Sequence, residues 1–402
     1  DATEDSVKEQ AMTEKIKVKD IYCPLPFNHM NWHPNGNVSV CCVAEMFPPN
    51  DGFYRNPVNK RMMNLSSNSV HEIWNQSSVE EIRQQMLQGV EPPACKGCYK
   101  IEERGGTSRR QNERKRWGQN LTTPRLEFID LRMSNLCNSK CMMCYPDSSS
   151  SLIKEYSKWE EELDFVPKNA TNYELFQWFD EETIEQLLEH KDTLKYLYIN
   201  GGEPFMMPQQ WKLLERLIDE GVSKNIHVSY NTNCSLYEDR FNEIWKDFKI
   251  VTLGMSVDAV ADKNKWIRKP INTWESITKN IDSLVHAQGL DHINLTCTIQ
   301  WINLPFMEEY YDWALPIIKQ KQHSTINQNF VTFPNYLSVN CASKRFKQEI
   351  HEKFKKSRHA HHILTPTMVS YLEADEEDEV MWNNGMKFAD TVSKQRDNWR
   401  EV

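Results

Sequence analysis

The chain has 402 residues and a formal net charge of −9, which is room for two to three domains with a large core and argues against a dedicated nucleic-acid binder, since such proteins carry a basic face. No run approaches the roughly eighteen apolar residues of a membrane span, and no charged-then-apolar signal opens the sequence, so the expectation is a soluble, cytoplasmic protein with no membrane partner. Eleven cysteines without an export signal point to metal ligation or thiol chemistry rather than a disulfide framework.

Residues 1–20 are polar, with Met12 as an internal start, and read as a flexible tail or processing remnant. A first unit is expected over 21–104. Pro34-Asn35-Gly36-Asn37 fits a hairpin turn, and Val38 to Val43 reads as a short strand. Ser69 to Trp74 and Val79 to Leu87 show helical spacing, and Cys95-Lys96-Gly97-Cys98 closes the unit. A hairpin and a two-residue chelate loop can converge four thiolates on an iron–sulfur cluster or, equally in principle, on a zinc ion. Cys41 and Cys42 are adjacent, so on a strand they face opposite sides and one of them ligates. His29 and His33 are alternative ligands, against which stands their more usual role in packing.

Residues 105–124 form a basic linker, part of a polar stretch from Ile101 to Gln119 that includes Arg104, Arg109, Arg110, Arg114, Lys115 and Arg116. The interspersed Glu102, Glu103 and Glu113 favour a solvated linker helix over a docking surface for an acidic or phosphate-bearing partner. From Leu126 short apolar strands alternate with helical stretches, which predicts a parallel sheet with crossover helices. The strands are expected at Leu126 to Met133, Leu194 to Asn200, Ile226 to Asn231, Ile250 to Val257, Ile293 to Gln300 and Phe330 to Val339. Helices are expected at Ser151 to Leu163, Glu181 to Lys191, Gln209 to Glu220, Glu238 to Lys246, Thr273 to Ala287 and Phe306 to Lys319, with an insertion at Phe165 to Asp180. The fold class is therefore α/β, a partial (β/α)6 TIM-type barrel over 125–340 behind a small cysteine-rich domain. A C-terminal extension over 341–402 carries an acidic run at Glu373 to Glu379 and a capping helix at Phe388 to Trp399.

Cys137, Cys141 and Cys144 follow the first of these strands as CxxxCxxC. Three thiolates leave one metal position open, whereas a closed site needs four ligands; a three-cysteine zinc site with an outside ligand is the alternative. In a parallel barrel, reactive groups gather at the carboxyl ends of strands, which is where this loop falls. Gly201-Gly202-Glu203-Pro204 follows the second strand, where two glycines admit close backbone approach and a carboxylate can accept a charge-assisted hydrogen bond.

The CxxxCxxC loop, joined by Gly201-Gly202-Glu203-Pro204, resembles the radical S-adenosylmethionine (radical SAM) superfamily, and the N-terminal cysteines resemble its SPASM and twitch auxiliary modules. The resemblance implies a [4Fe-4S] cluster on Cys137, Cys141 and Cys144, with S-adenosylmethionine chelating the fourth iron. It also implies one auxiliary [4Fe-4S] cluster on Cys23, Cys41, Cys95 and Cys98, with Cys42 as alternate to Cys41; the spacing from Gly36 favours Cys41. Such modules usually follow the core rather than precede it, and the longer cysteine series of a full SPASM domain is missing here. By the same resemblance, Gly201, Gly202, Glu203 and Pro204 would cradle the cofactor's methionyl amine, and Ser229, Asn231 and Ser256 would meet its ribose and carboxylate. Ser229 and Asn231 fit a helix cap as well. Arg268 would pair with the carboxylate, or is a surface arginine. Thr298, Gln300 and Asn303 would line the substrate side.

The implied reaction is reductive cleavage of the cofactor to a 5′-deoxyadenosyl radical, fed by a reductant such as flavodoxin or ferredoxin. That radical abstracts hydrogen from a peptide or protein side chain, giving a crosslink, an epimer or a related product. A thiol from Cys234, Cys297 or Cys341 could return a hydrogen, although each also reads as an inert buried cysteine. A small-molecule substrate is the second enzyme reading, and a non-catalytic zinc scaffold the reading from another class.

Overall fold

Pro34-Asn35-Gly36 reverses the chain between β1 (His29–Trp32) and β2 (Val38–Ser39), which pair antiparallel with Trp32 opposite Val38. Gly36 has a φ of 82°, left-handed backbone that a glycine adopts without a Cβ penalty. The expected turn is present, but β2 is shorter than the expected Val38 to Val43 because the chain leaves the ladder at Val40, whose N–H goes to the carbonyl of Gly52. The computed structural model describes residues 21–44, 51–103, 106–118, 122–168 and 174–396. The expected N-terminal tail, Arg104 and Trp399 therefore lie outside the described residues.

The chain divides into two compact units, one of 1–134, 176–201 and 208–228, the other of 135–175, 202–207 and 229–402. In the first, the strand order is β2-β1-β3-β4, with β3 (Phe128–Leu131) lying parallel to β1 on one side and to β4 (Tyr196–Ile199) on the other. All four residues of β3 are buried, as expected of a parallel strand covered on both faces. The helix Val70–Gln76 opens on a capping box made by Ser69 and Glu72, and Val79–Leu87 follows it. Arg83 on the second helix is buried; its Nε donates to the carbonyl of Pro26 at 2.7 Å, and its guanidinium lies 4.4 Å from the Trp74 ring.

The basic stretch departs from the expected solvated linker. It forms helices Lys96–Glu103 and Arg109–Trp117, the latter opened by a capping box of Ser108 and Gln111. Arg110 and Glu113 are buried, and Arg110 is paired with Glu102 and reaches the carbonyl of Tyr22 at 3.1 Å. Arg116 sits 3.6 Å from the Tyr196 ring. Charge count alone misses this because Arg110 is buried while Lys115 and Arg116 on the same helix are exposed.

In the second unit β5 (His227–Thr232, whose residues from Ser229 belong here), β6 (Ile250–Ser256), β7 (His292–Ile299) and β8 (Thr325–Phe330) run in that order, with β6, β7 and β8 mutually parallel. Intervening helices include Arg240–Trp245, Ala261–Arg268, Trp274–Val285 and Met307–Ile318. The sixth strand is corrected from Phe330 to Val339: it ends where that range begins, and Asn335–Leu337 and Val339–Cys341 are short 3-10 turns. Its sequence Thr-Ile-Asn-Gln-Asn-Phe alternates exposed and half-buried positions at the end of the strand order, so it lacks the apolar run that marks a buried strand. Helix Ala261–Arg268 went unread for a similar reason, having charged residues on much of its surface.

Beyond β8 the chain is helical, at Lys344–Lys355, Ala360–Ile363, Pro366–Glu373 and Glu379–Gln395. The last helix starts nine residues before the expected Phe388, because the acidic run supplies Asp378, whose side chain caps it by accepting from the N–H of Met381. Met142, Trp159, Trp266, Trp301, Tyr336 and Phe388 share one apolar cluster, so this helix is packed into the core that underlies the CxxxCxxC loop. Among the described residues, no helix is long and apolar enough to cross a membrane. Trp159 is fully buried, lies edge-on to Phe388 at 4.9 Å and donates its indole N–H to Gln395 at 2.9 Å. Trp159→Ala is expected to cost about 3–5 kcal/mol, read as a lowered thermal unfolding midpoint with unchanged far-UV circular dichroism in the cold.

Candidate functional site

The cysteine loop is one side of a ribbon. Residues 138–142 run antiparallel to 267–271: Lys140 N–H donates to the carbonyl of Arg268 at 3.0 Å, Met142 N–H to that of Ile267 at 3.0 Å, and Ile271 N–H to that of Asn138 at 3.2 Å. Ser139 and Pro270 form a bridge. Hydroxyls secure the other carbonyls, Ser149 donating to Ser139 at 2.6 Å and Ser151 to Cys137 at 2.5 Å. Asn233, at the end of β5, donates to Asn138 Oδ1 at 2.8 Å and Ser139 Oγ at 2.9 Å, with its Nδ2 4.0 Å from Cys137 Sγ. The backbone of the loop is thus satisfied away from its thiols.

Cys137 and Cys141 are buried and Cys144 half-buried. Burial pushes the Cys137 thiol up to about 12, and the neighbouring Cys141 and Glu203 add to the rise. Cys141 is lowered because it accepts a hydrogen bond from Cys144, with the Arg268 guanidinium also favouring the thiolate. Arg268 is the cation of this corner. Its Nη1 donates to Asp258 Oδ2 at 2.8 Å, and the carboxylate is fully buried, so Arg268 is not a surface arginine. Asp258 in turn accepts from Thr298 N–H at 2.7 Å, and its own N–H donates to Asn264 at 3.1 Å.

Glu203 is 1 % exposed and has three internal donors: Thr232 Oγ at 2.6 Å, Asn233 N–H at 2.7 Å and Phe205 N–H at 3.2 Å. An ionised carboxylate offers about four acceptor positions, so one remains for an external ammonium. Gly202 has a φ of 56°, and a Cβ there would come within 2.3 Å of the Leu136 carbonyl oxygen, so the residue before Glu203 cannot carry a side chain. The Glu203 N–H donates to that same carbonyl at 2.8 Å, and Pro204 opens a 3-10 turn. Gly201, with a φ of 78°, lies in the first unit, where a Cβ would meet the Arg132 side chain at 2.6 Å.

Ser229 is buried on β5, Ser256 half-buried at the end of β6, and the Asn231 side chain lies over Gly254, where a Cβ would meet its Oδ1 at 2.0 Å. Asn303 donates to the carbonyls of Asp258 and Thr298, both at 3.0 Å. Gln300 is fully buried with both side-chain polar atoms lacking a protein partner. Of the three candidate thiols, Cys234 and Cys297 are fully buried and Cys341 nearly so, and burial raises all three pKa values. Cys234 senses Glu203 and Arg268, and Cys297 lies 3.7 Å from the Asp258 carbonyl. Cys341 lines a separate cavity of about 400 Å³ with Glu376, Glu377 and Asp378.

In the first unit a second set of thiols assembles. Burial raises Cys23, Cys41 and Cys95, and charge on the others of the set, Cys98 included, adds to each. Cys42 accepts a hydrogen bond from Arg109 Nη1 to its Sγ at 2.6 Å, and its charge also raises Cys41. His29 Nδ1 meets the Val40 carbonyl at 2.9 Å and His33 Nε2 meets Ser39 Oγ at 2.9 Å, so both rings are engaged within the hairpin. Nothing in the local sequence brings residue 109 to residue 42, so the Arg109 contact is a product of the tertiary fold.

All eleven cysteines are free. Among the described residues no three Cys, His, Asp or Glu side chains are grouped to hold a single metal ion. Thiolates are the ligands that an iron–sulfur cluster takes, and three of them in one loop, with four more in the first unit, supply that donor set. The carboxylate with one acceptor left and the glycine at its shoulder fit the amino group of S-adenosylmethionine.

Residues 131–303 match the profile of the radical SAM superfamily, and residues 23–99 match the SPASM iron–sulfur cluster-binding domain. The chain thus carries a radical SAM domain with a SPASM-type domain ahead of it, and its cofactors are iron–sulfur clusters and S-adenosylmethionine. It is 25% identical over 182 residues to the radical SAM cyclopropyl synthase TigE of Paramaledivibacter caminithermalis, covering 44% of this chain and 36% of that one. It is 22% identical over 193 residues to a GTP 3′,8-cyclase of Psychromonas ingrahamii, covering 44% and 50%. The matches thus span half or less of these relatives. Among solved structures, Streptococcus suis SuiB bound to precursor peptide SuiA is similar with a TM-score of 0.37 at 15% identity, covering 74% of this chain and 65% of that one.

Burial holds the Glu203 carboxyl at about 6, above its usual 4.5. The folded chain therefore binds more protons than the unfolded one between these values, and stability falls as pH rises through that window, by roughly 2 kcal/mol. Urea unfolding midpoints between about pH 4 and 7 are expected to show this slope in the native chain and to lose it in Glu203→Gln.

Proposed function

We propose that this chain is a radical SAM enzyme in which Cys137, Cys141 and Cys144 hold a [4Fe-4S] cluster that binds S-adenosylmethionine. The observation that carries the reading is the ribbon of 138–142 with 267–271, which holds a loop bearing two buried thiols and one half-buried thiol in the same unit as Glu203 and Arg268. Held there, the cluster and S-adenosylmethionine would supply one-electron chemistry for removing a hydrogen atom from a substrate. Glu203 would take the methionyl ammonium on its remaining acceptor position, with Gly202 allowing the approach. Ser229, Asn231 and Ser256 would hold the ribose. Arg268 is committed to Asp258 by one Nη and keeps further N–H donors for the methionyl carboxylate. Gln300, buried with unpaired polar atoms, and its neighbour Thr298 would face the substrate. Burial of Glu203 and Asp258 excludes water, which strengthens the charge-assisted hydrogen bonds made there.

The second thiol set, Cys23, Cys41, Cys95 and Cys98, would hold one auxiliary [4Fe-4S] cluster. A peptide or protein side chain is the substrate class this reading favours, on the ground that a SPASM-type domain accompanies a radical SAM domain. The electron would come from a flavodoxin- or ferredoxin-type reductant, in a cytoplasm that keeps the eleven cysteines reduced.

Anaerobic reconstitution tests the reading. About eight irons per chain and reductive cleavage of S-adenosylmethionine to 5′-deoxyadenosine are expected, and both a zinc-only chain and cleavage that survives in Cys137→Ala would overturn it. Cys41→Ala is expected to drop the content to about four irons, and Cys42→Ala to leave it near eight; the reverse result would exchange the two residues' roles.

A further inference from the structure

One arginine ties the far end of the chain to the cysteine loop. Arg396 follows directly on the helix Glu379–Gln395 and is buried. Its Nη2 donates to the carbonyl of Lys140, the residue before Cys141, and its Nη1 to the carbonyls of Trp266 at 2.6 Å and Ile267 at 3.3 Å. Lys140 is on one side of the ribbon, Ile267 on the other and Trp266 just ahead of Ile267, so a single guanidinium bridges the two sides. Its Nε donates to Glu155 at 2.7 Å, and Glu155 also lies within 3.8 Å of Lys140 and Lys269, one lysine from each side. The group also sits 5.8 Å from the Trp159 ring, on the apolar cluster below the loop.

We propose that Arg396 is a positioning residue for the Cys137–Cys144 loop, and that its charge also makes the cluster held there easier to reduce. The inference rests on the cluster assignment above. The first part follows from geometry: a planar fork that meets three carbonyls and a carboxylate fixes the spacing of the two ribbon strands in a way that a flexible ammonium cannot. The second follows from charge. The site becomes more negative when it takes up an electron, and a cation held in a medium of low dielectric near Cys141 stabilises that state. Arg268 and Arg396 both bring positive charge to Cys141, while Glu155 moderates Arg396.

The test uses the full chain. After anaerobic reconstitution, the electron paramagnetic resonance signal that changes on adding S-adenosylmethionine identifies this cluster and separates it from the auxiliary one. Its midpoint potential is expected to become more negative in Arg396→Gln, to shift less in Arg396→Lys, and to become less negative in Glu155→Gln. An unchanged midpoint in Arg396→Gln at full iron content overturns the charge role. If Arg396→Gln takes up no iron, Glu155→Gln decides alone, and a midpoint that is unchanged or more negative overturns that role.

The positioning role is read without any cluster, by hydrogen exchange in the apo chain. The amides of Lys140, Met142 and Ile271 are expected to exchange at least tenfold faster in Arg396→Gln and in Arg396→Lys, at an overall melting temperature that Arg396→Lys leaves close to native. Native exchange rates in both variants overturn it. A native chain whose signal ignores S-adenosylmethionine would instead strike the function proposed above, while the exchange experiment would still decide the clamp.

Discussion

Three thiols can face one point only if the loop that carries them spends its own hydrogen bonds elsewhere. The ribbon between 138–142 and 267–271 meets that constraint, because it pairs the loop's N–H and C=O groups with the backbone of a segment more than a hundred residues away. Much of the second unit follows from this need. The helix Ala261–Arg268 delivers the partner segment, Asn233 and Ser149 hold the loop's polar edges, and the apolar cluster of Met142, Trp159, Trp266 and Phe388 supports it from beneath.

A buried site for an anionic group also needs compensating charge. Asp258 and Arg268 supply it as a pair rather than as a lone cation, which spares the folded chain an uncompensated buried guanidinium. Asp258 is itself tied to β7 through the N–H of Thr298, so the orientation of Arg268 is inherited from the sheet. Glu203 makes the same compromise on the other side, with three internal donors leaving room for one guest. The site is preorganised by groups that would otherwise be costly to bury.

The parts legible in the sequence were those with short-range signatures. CxxxCxxC, the glycine pair before Glu203, the hairpin at Gly36 and the apolar strands each announce themselves within about ten residues, and each appears in the structure close to where it was read. Contacts between distant residues with ordinary local sequence were not legible. Arg109 and Arg110 look like any solvated cations until Cys42 and Glu102 are brought to them. Thr325–Phe330 carries too few apolar residues to look like a strand, since pairing to β7 along one edge, rather than burial, makes it one. The acidic run stands apart from the expected capping helix at Phe388 to Trp399, yet Asp378 in it is the cap from which the last helix starts.

The pairing of β1 with β3 has a consequence for how the N-terminal module can fail. Without β1, the outer edge of β3 would present unpaired backbone N–H and C=O groups, the kind of edge that recruits strands from other molecules. The thiol-bearing module is therefore also an edge guard for the sheet. Oxidative damage to its cysteines, by loosening the hairpin that carries β1, would be felt as a loss of solubility as well as a loss of iron, and the health of the two cannot be separated in this chain.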